Sequence, residues 1–139
     1  MNEKQVLEEL NGLGSLIVNK EWHALDTKLS QWLRDQENFK EDILTSINEM
    51  IDDWALSSSS WPSAVEPDIN PITELDEVSE YFSKKVDPNL NNENFVAWGC
   101  IQLVADEEEE LDAYADIWVP LYNEHDELKI GYYEIEYPD

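Results

Sequence analysis

The apolar residues of this chain keep two different periods. Val6, Leu7, Leu10 and Leu13 recur at helical spacing and run into Gly12 and Gly14, where a helix end is expected. Trp22, Leu25, Leu29, Trp32 and Leu33 form a second helical stripe. Phe39, Ile43, Ile47, Met50, Ile51 and Trp54 form a third, with the cleanest 3.6-residue period in the chain. Three helices are therefore predicted within residues 2–56. Residues 57–71 break the pattern with four serines and then Pro62, Pro67 and Pro71, which predicts a loop. Thr73 with Asp76 makes a capping box, and Ile72, Leu75, Val78 and Phe82 share one side of a fourth helix that Pro88 must end.

Beyond Pro88 the period changes from 3.6 to 2. Three segments rich in β-branched and aromatic residues, 95–105, 113–122 and 128–137, read as strands. The connections 106–112 and 123–127 are too short for parallel crossovers, so an antiparallel meander is expected. The predicted fold class is α+β: about four N-terminal helices in residues 2–86, with the loop 57–71 among them, then a three-stranded antiparallel β-meander in 94–137. At 139 residues the chain is expected to form a single domain, residues 1–139, burying roughly two-thirds of its unfolded surface.

Apolar residues make up 42% and aromatics 11%, with six Trp and six Tyr, which predicts a folded core rather than a disordered chain. Charge is the extreme property. Thirty-three Asp and Glu face eight Lys and Arg, giving −25. Such a field repels nucleic acid and anionic membrane, and attracts basic proteins. Like-charge repulsion also points to a monomer. Cys100 stands alone beside Ala97, Trp98 and Ile101, which predicts a buried thiol, no internal disulfide and a reducing, cytoplasmic setting. Residues 1–10 carry charges throughout, and no run approaches the ~18 apolar residues of a membrane span.

The acids are unevenly placed. Residues 1–60 hold 12 acids and 5 bases, residues 61–139 hold 21 and 3, and residues 93–139 hold 14 against Lys129 alone. In the second predicted strand Ala115, Ile117, Val119 and Leu121 share one face, a core face, while Asp112, Tyr114, Asp116 and Trp118 share the other. In the third, Ile130, Tyr132, Glu134 and Glu136 alternate against Tyr133, Ile135 and Tyr137. Carboxylates interleaved with rigid rings offer acceptors for Lys and Arg together with cation–π contacts. The predicted partner-binding residues are Asp106, Glu107, Glu108, Glu109, Glu110, Asp112, Tyr114, Asp116, Trp118, Glu134 and Glu136. Two plainer readings stand beside this one: a merely solvated face, or Trp118 and Tyr132 serving as core residues under elements packed on that side.

No catalytic constellation emerges, and the chain is read as a non-enzyme without cofactor or metal. His23 in a helix and His125 in a turn have no second ligand at metal spacing. Asp87, Asn89, Asn91 and Glu93 imitate the first half of a calcium loop, but Asn92 stands where Gly is required and Trp98 where a bidentate Glu is required. Four glycines leave no phosphate loop or nucleophile elbow.

In size, acidity, single cysteine and carboxylate-plus-aromatic pattern, the chain resembles small acidic bacterial proteins that mimic DNA or act as immunity proteins against toxins. The resemblance implies a non-catalytic inhibitor whose Asp and Glu stand in for phosphates on a basic protein such as a nucleoid protein, repressor or nuclease. The alternatives are an immunity protein neutralising one cognate toxin, and a structural or adaptor module with no electrostatic partner.

Overall fold

Asn2 opens the first helix with a reciprocal cap. Its side chain accepts the Gln5 N–H at 2.9 Å while its own N–H donates to Gln5 Oε1 at 2.9 Å. The computed structural model describes residues 2–36, 38–53, 61–70, 87–104 and 115–136. They form α1 (Glu3–Val18), α2 (Trp22–Asp26), α3 (Gln31–Gln36), α4 (Phe39–Asp53), β1 (Ala64–Asn70), β2 (Phe95–Val104), β3 (Ala115–Glu124), β4 (Glu127–Ile130) and β5 (Glu134–Glu136). The class is α+β, with helices first and an antiparallel sheet after them. The expected fourth helix, with Ile72, Leu75, Val78 and Phe82 on one side, lies outside the described residues.

The helices depart from their predicted limits for identifiable reasons. Gly12 and Gly14 do not end α1, which continues to Val18. A Cβ on Gly14 would lie 2.4 Å from Val65 Cγ1 and 3.0 Å from Ile101 Cγ2, so this glycine lets the helix backbone settle onto β1 and β2. Gly99 does the reverse: its missing side chain leaves the space that Leu10 fills. The second stripe is two short helices rather than one. Between them Leu29 forms a parallel bridge with Ile130, in which the Ser30 N–H donates to Ile130 O and the Ile130 N–H donates to Lys28 O, both at 2.9 Å.

The sheet has five strands, not the three of the predicted meander, in the order β1-β2-β3-β4 with β5 also paired to β3. One added strand comes from the segment predicted as loop: Ala64–Asn70 pairs with β2 from Ala64↔Val104 to Asn70↔Trp98. Pro67 is tolerated there because β1 is an end strand of the described sheet, where a ladder N–H can be spared. The other comes from the third predicted strand, which breaks at residues 131–133 into β4 and β5. That break shifts the alternation. Ile130 pairs with Leu121 on the helix side, whereas Glu134 pairs with Trp118 on the opposite side, so Ile130 does not share a face with Glu134 and Glu136.

His125 and Asp126, at φ 53° and 66°, form the two-residue turn joining β3 and β4, a left-handed pair that matches the twist of a tight hairpin. The core lies between the sheet and the helices. Leu10, Leu13 and Ile17 of α1, Ile43 and Ile47 of α4, and Leu25, Leu29 and Leu33 meet Ile101, Leu103, Ile117, Val119 and Leu121, all at most 2% exposed. Tyr133 joins α4 to this side of the sheet, its ring 4.3 Å from that of Phe39 and its hydroxyl donating to Asp42.

Candidate functional site

Strand alternation turns Val65, Ile101, Ile117 and Ile135 toward the helices, and so turns their neighbours to the opposite face. Two rows of residues cross that outer face in register. Glu66, Gln102, Asp116 and Glu136 lie side by side on β1, β2, β3 and β5, and Asp68, Cys100, Trp118 and Glu134 form the next row. Neighbouring strands are about 4.8 Å apart and the rows about 7 Å apart, so five carboxylates form a regular lattice.

Glu66, Asp68 and Glu136 are exposed, while Asp116 and Glu134 are half-buried. Among the described strands Lys129 is the one basic residue, and its ammonium is held elsewhere, 2.6 Å from Thr27 O and 3.2 Å from Glu127. Asp116 and Glu136 are direct cross-strand partners, an arrangement that destabilises a sheet. Gln102 relieves part of it by donating Nε2–H to Asp116 Oδ1 at 3.1 Å.

The lattice surrounds a shallow depression of about 330 Å³ lined by Glu66, Asp68, Cys100, Gln102, Asp116 and Trp118. Cys100, 6% exposed, is the small residue at its centre. Burial, then the charges of Asp116, Asp68 and Glu136, push its thiol up to about 12, so it remains a neutral, unreactive floor. The buried thiol matches the expectation from its apolar neighbours.

Aromatic residues border the carboxylates. Trp98 and Tyr132 are 3% and 5% exposed, and Phe95 and Trp118 pack against them. Trp118 stacks on Trp98 at 5.6 Å with a 19° interplanar angle. Tyr132 is therefore a core residue of this face rather than a contact residue, and Trp118 is half-buried. Trp118 Nε1 is, among the described residues, the one buried side-chain polar atom without a hydrogen-bond partner.

Of the predicted site residues, the structure brings together Asp116, Trp118, Glu134 and Glu136. Asp106, Glu107, Glu108, Glu109, Glu110, Asp112 and Tyr114 lie outside the described residues. The sequence reading missed Glu66 and Asp68. The alternation of Val65 and Ile69 with Glu66 and Asp68 could have revealed them, but Pro67 in the middle argues against a strand.

A second polar site lies at the far end of β3. Asp87, 2% exposed, accepts the Asn89 N–H at 2.8 Å and lies 3.1 Å from the hydroxyl of the fully buried Tyr122, which donates to Glu124 Oε2 at 2.6 Å. Burial first, then Glu124 and Asp87, hold the Tyr122 hydroxyl well above the usual phenol range. Asn91 Oδ1 accepts the N–H groups of Glu93 and Asn94, so the calcium-loop-like residues shape their own turn. No group of three or more His, Cys, Asp or Glu among the described residues is placed to hold a metal ion, and no described helix is long and apolar enough to cross a membrane.

No family model, no curated protein and no solved structure matches this chain.

Proposed function

We propose that this protein is a non-catalytic acidic binder that occupies the nucleic-acid-binding face of a basic protein, with the outer face of its sheet standing in for a run of phosphates. One observation carries the reading: the in-register rows of Glu66, Asp116 and Glu136 and of Asp68 and Glu134, on strands β1, β2, β3 and β5 that carry no basic residue. The sheet register fixes the backbone positions of these carboxylates before a partner arrives, and the face they form suits Lys and Arg that otherwise meet phosphates. The net charge of −25 speeds encounter at low salt and repels nucleic acid itself. The lone buried thiol fits a reducing compartment such as the cytoplasm.

A second reading, an immunity protein for one toxin, is favoured by the partly exposed Trp118, ordered by its stack on the buried Trp98 beside the acids, because an ordered aromatic anchor is characteristic of a single tight partner. Capture from lysate on the tagged protein, with elution by salt and by duplex DNA, separates the two. The mimic reading expects several basic nucleic-acid-binding proteins, released by DNA and lost when Glu66→Gln, Asp116→Asn and Glu136→Gln are combined. A single protein retained at high salt and indifferent to DNA indicates immunity. Capture undiminished by the triple substitution, yet abolished when Glu107 to Glu110 become Gln, would move the binding face off the sheet.

A further inference from the structure

We propose that the depression between β1, β2 and β3 is a socket for one arginine side chain of the basic partner, its guanidinium held among Glu66, Asp68 and Asp116 and lying against the Trp118 indole. The inference rests on the acidic-face reading above and names the chemical group that the face selects.

The depression is rich in acceptors. Gln102 donates one amide N–H to Asp116, which leaves its carbonyl oxygen and its second N–H for a ligand. Asp68 Oδ1 accepts the Ile69 N–H at 2.9 Å, leaving its second oxygen for a ligand. Glu66 is exposed on the rim, and the Cys100 floor is an uncharged thiol. A lining of this kind suits a cation with several donors in one plane. Guanidinium has five, in a fork that matches two carboxylates at once, whereas an ammonium is a single strongly hydrated point.

The wall adds an independent argument. Trp118 is held in place by its stack on Trp98, so its ring is a fixed surface for a planar cation, and indole is the best of the aromatic partners. Its indole N–H is buried with no acceptor, an unmet hydrogen bond in the free protein that calls for an explanation. At about 330 Å³ the depression is at the small end of ligand-sized clefts, the scale of a side chain rather than of a folded element.

The test is an NMR titration of the full chain with acetyl-Gly-Arg-Gly-amide and acetyl-Gly-Lys-Gly-amide, following the Trp118 indole N–H resonance, assigned by its disappearance in Trp118→Phe. The expected result is a shift with the arginine peptide at an affinity at least about tenfold above that of the lysine peptide, and a loss of about tenfold or more in Asp116→Asn. Asp116→Asn preserves the shape of the side chain, so a folded spectrum accompanies the loss. Equal affinities for the two peptides, or an arginine response unchanged in Asp116→Asn, would overturn the socket. If protein capture still depends on Glu66, Asp116 and Glu136, the acidic-face reading survives that failure; if it does not, both fall.

Discussion

Asp116 on β3 and Glu136 on β5 are direct cross-strand partners, two carboxylates facing each other on the outer side of the sheet. Among the described residues neither is in an ion pair, and Gln102 is the one side chain seen to donate to Asp116. A sheet selected for stability alone gains nothing from such a pair.

Replacing Glu136 by Gln removes the repulsion and keeps the side-chain shape. The variant is expected to be more stable by about 0.2–1 kcal/mol in urea denaturation. It should also bind a basic partner more weakly and with a shallower salt dependence. Opposite signs in the two measurements would place the carboxylate pair in binding rather than folding; a loss of stability would show that Glu136 makes a favourable contact in the folded state.

Gly12 and Gly14 lie two residues apart in α1 and should respond oppositely to Ala. At Gly12 nothing lies within 4 Å of an added Cβ, so Gly12→Ala is expected to stabilise by about 0.5–1 kcal/mol through helix propensity. At Gly14 the new methyl would meet both methyls of Val65 at 2.4 and 2.7 Å, and overpacking should outweigh propensity and destabilise by about 1–3 kcal/mol. Urea denaturation midpoints of the two variants check this.

Tyr122→Phe keeps the ring and removes the hydroxyl that stands between Asp87 and Glu124. With Asp87 2% exposed, the loss of that partner is expected to destabilise by about 1–3 kcal/mol. Because the Asp87 N–H donates to Gly131 O, amide exchange should rise in the 87–94 turn before it rises in β2. Unaltered stability would mean that another donor replaces the hydroxyl.

Alkaline pH should weaken the fold through Cys100. In the unfolded chain its thiol titrates near 9.0, while in the fold it keeps its proton up to about 12. The folded form therefore binds more protons between these values. The stabilisation is fully present below pH 9 and declines above it by up to about 1.4 kcal/mol per pH unit. Tyr122, displaced in the same direction, adds to the decline. Cys100→Ala should flatten the slope between pH 9 and 10 in urea denaturation, and native Cys100 should resist iodoacetamide until the chain is unfolded.

Where each segment meets one neighbour with an uninterrupted period, the sequence was sufficient. Ala115, Ile117, Val119 and Leu121 alternate cleanly and are all buried on the helix side, and Phe39, Ile43 and Ile47 form the buried stripe of α4. The same alternation places Asp116 and Trp118 on the outer face. These features depend on strand and helix geometry within one segment, so they are written in local spacing. The acidity and the lone buried thiol were equally legible.

Only the tertiary structure decided the rest, because it depends on residues far apart in the chain. α1 runs through its two glycines because Val65 and Ile101 press against Gly14, and the second helical stripe is cut where Lys28 and Ser30, either side of Leu29, bond to Ile130. Residues 64–70 form a strand, despite Pro67, because β2 supplies its partner. The fold class thus follows from periodicity. The acidic lattice needs the sheet register, since nothing in local sequence says that Glu66 and Asp116 stand in one row.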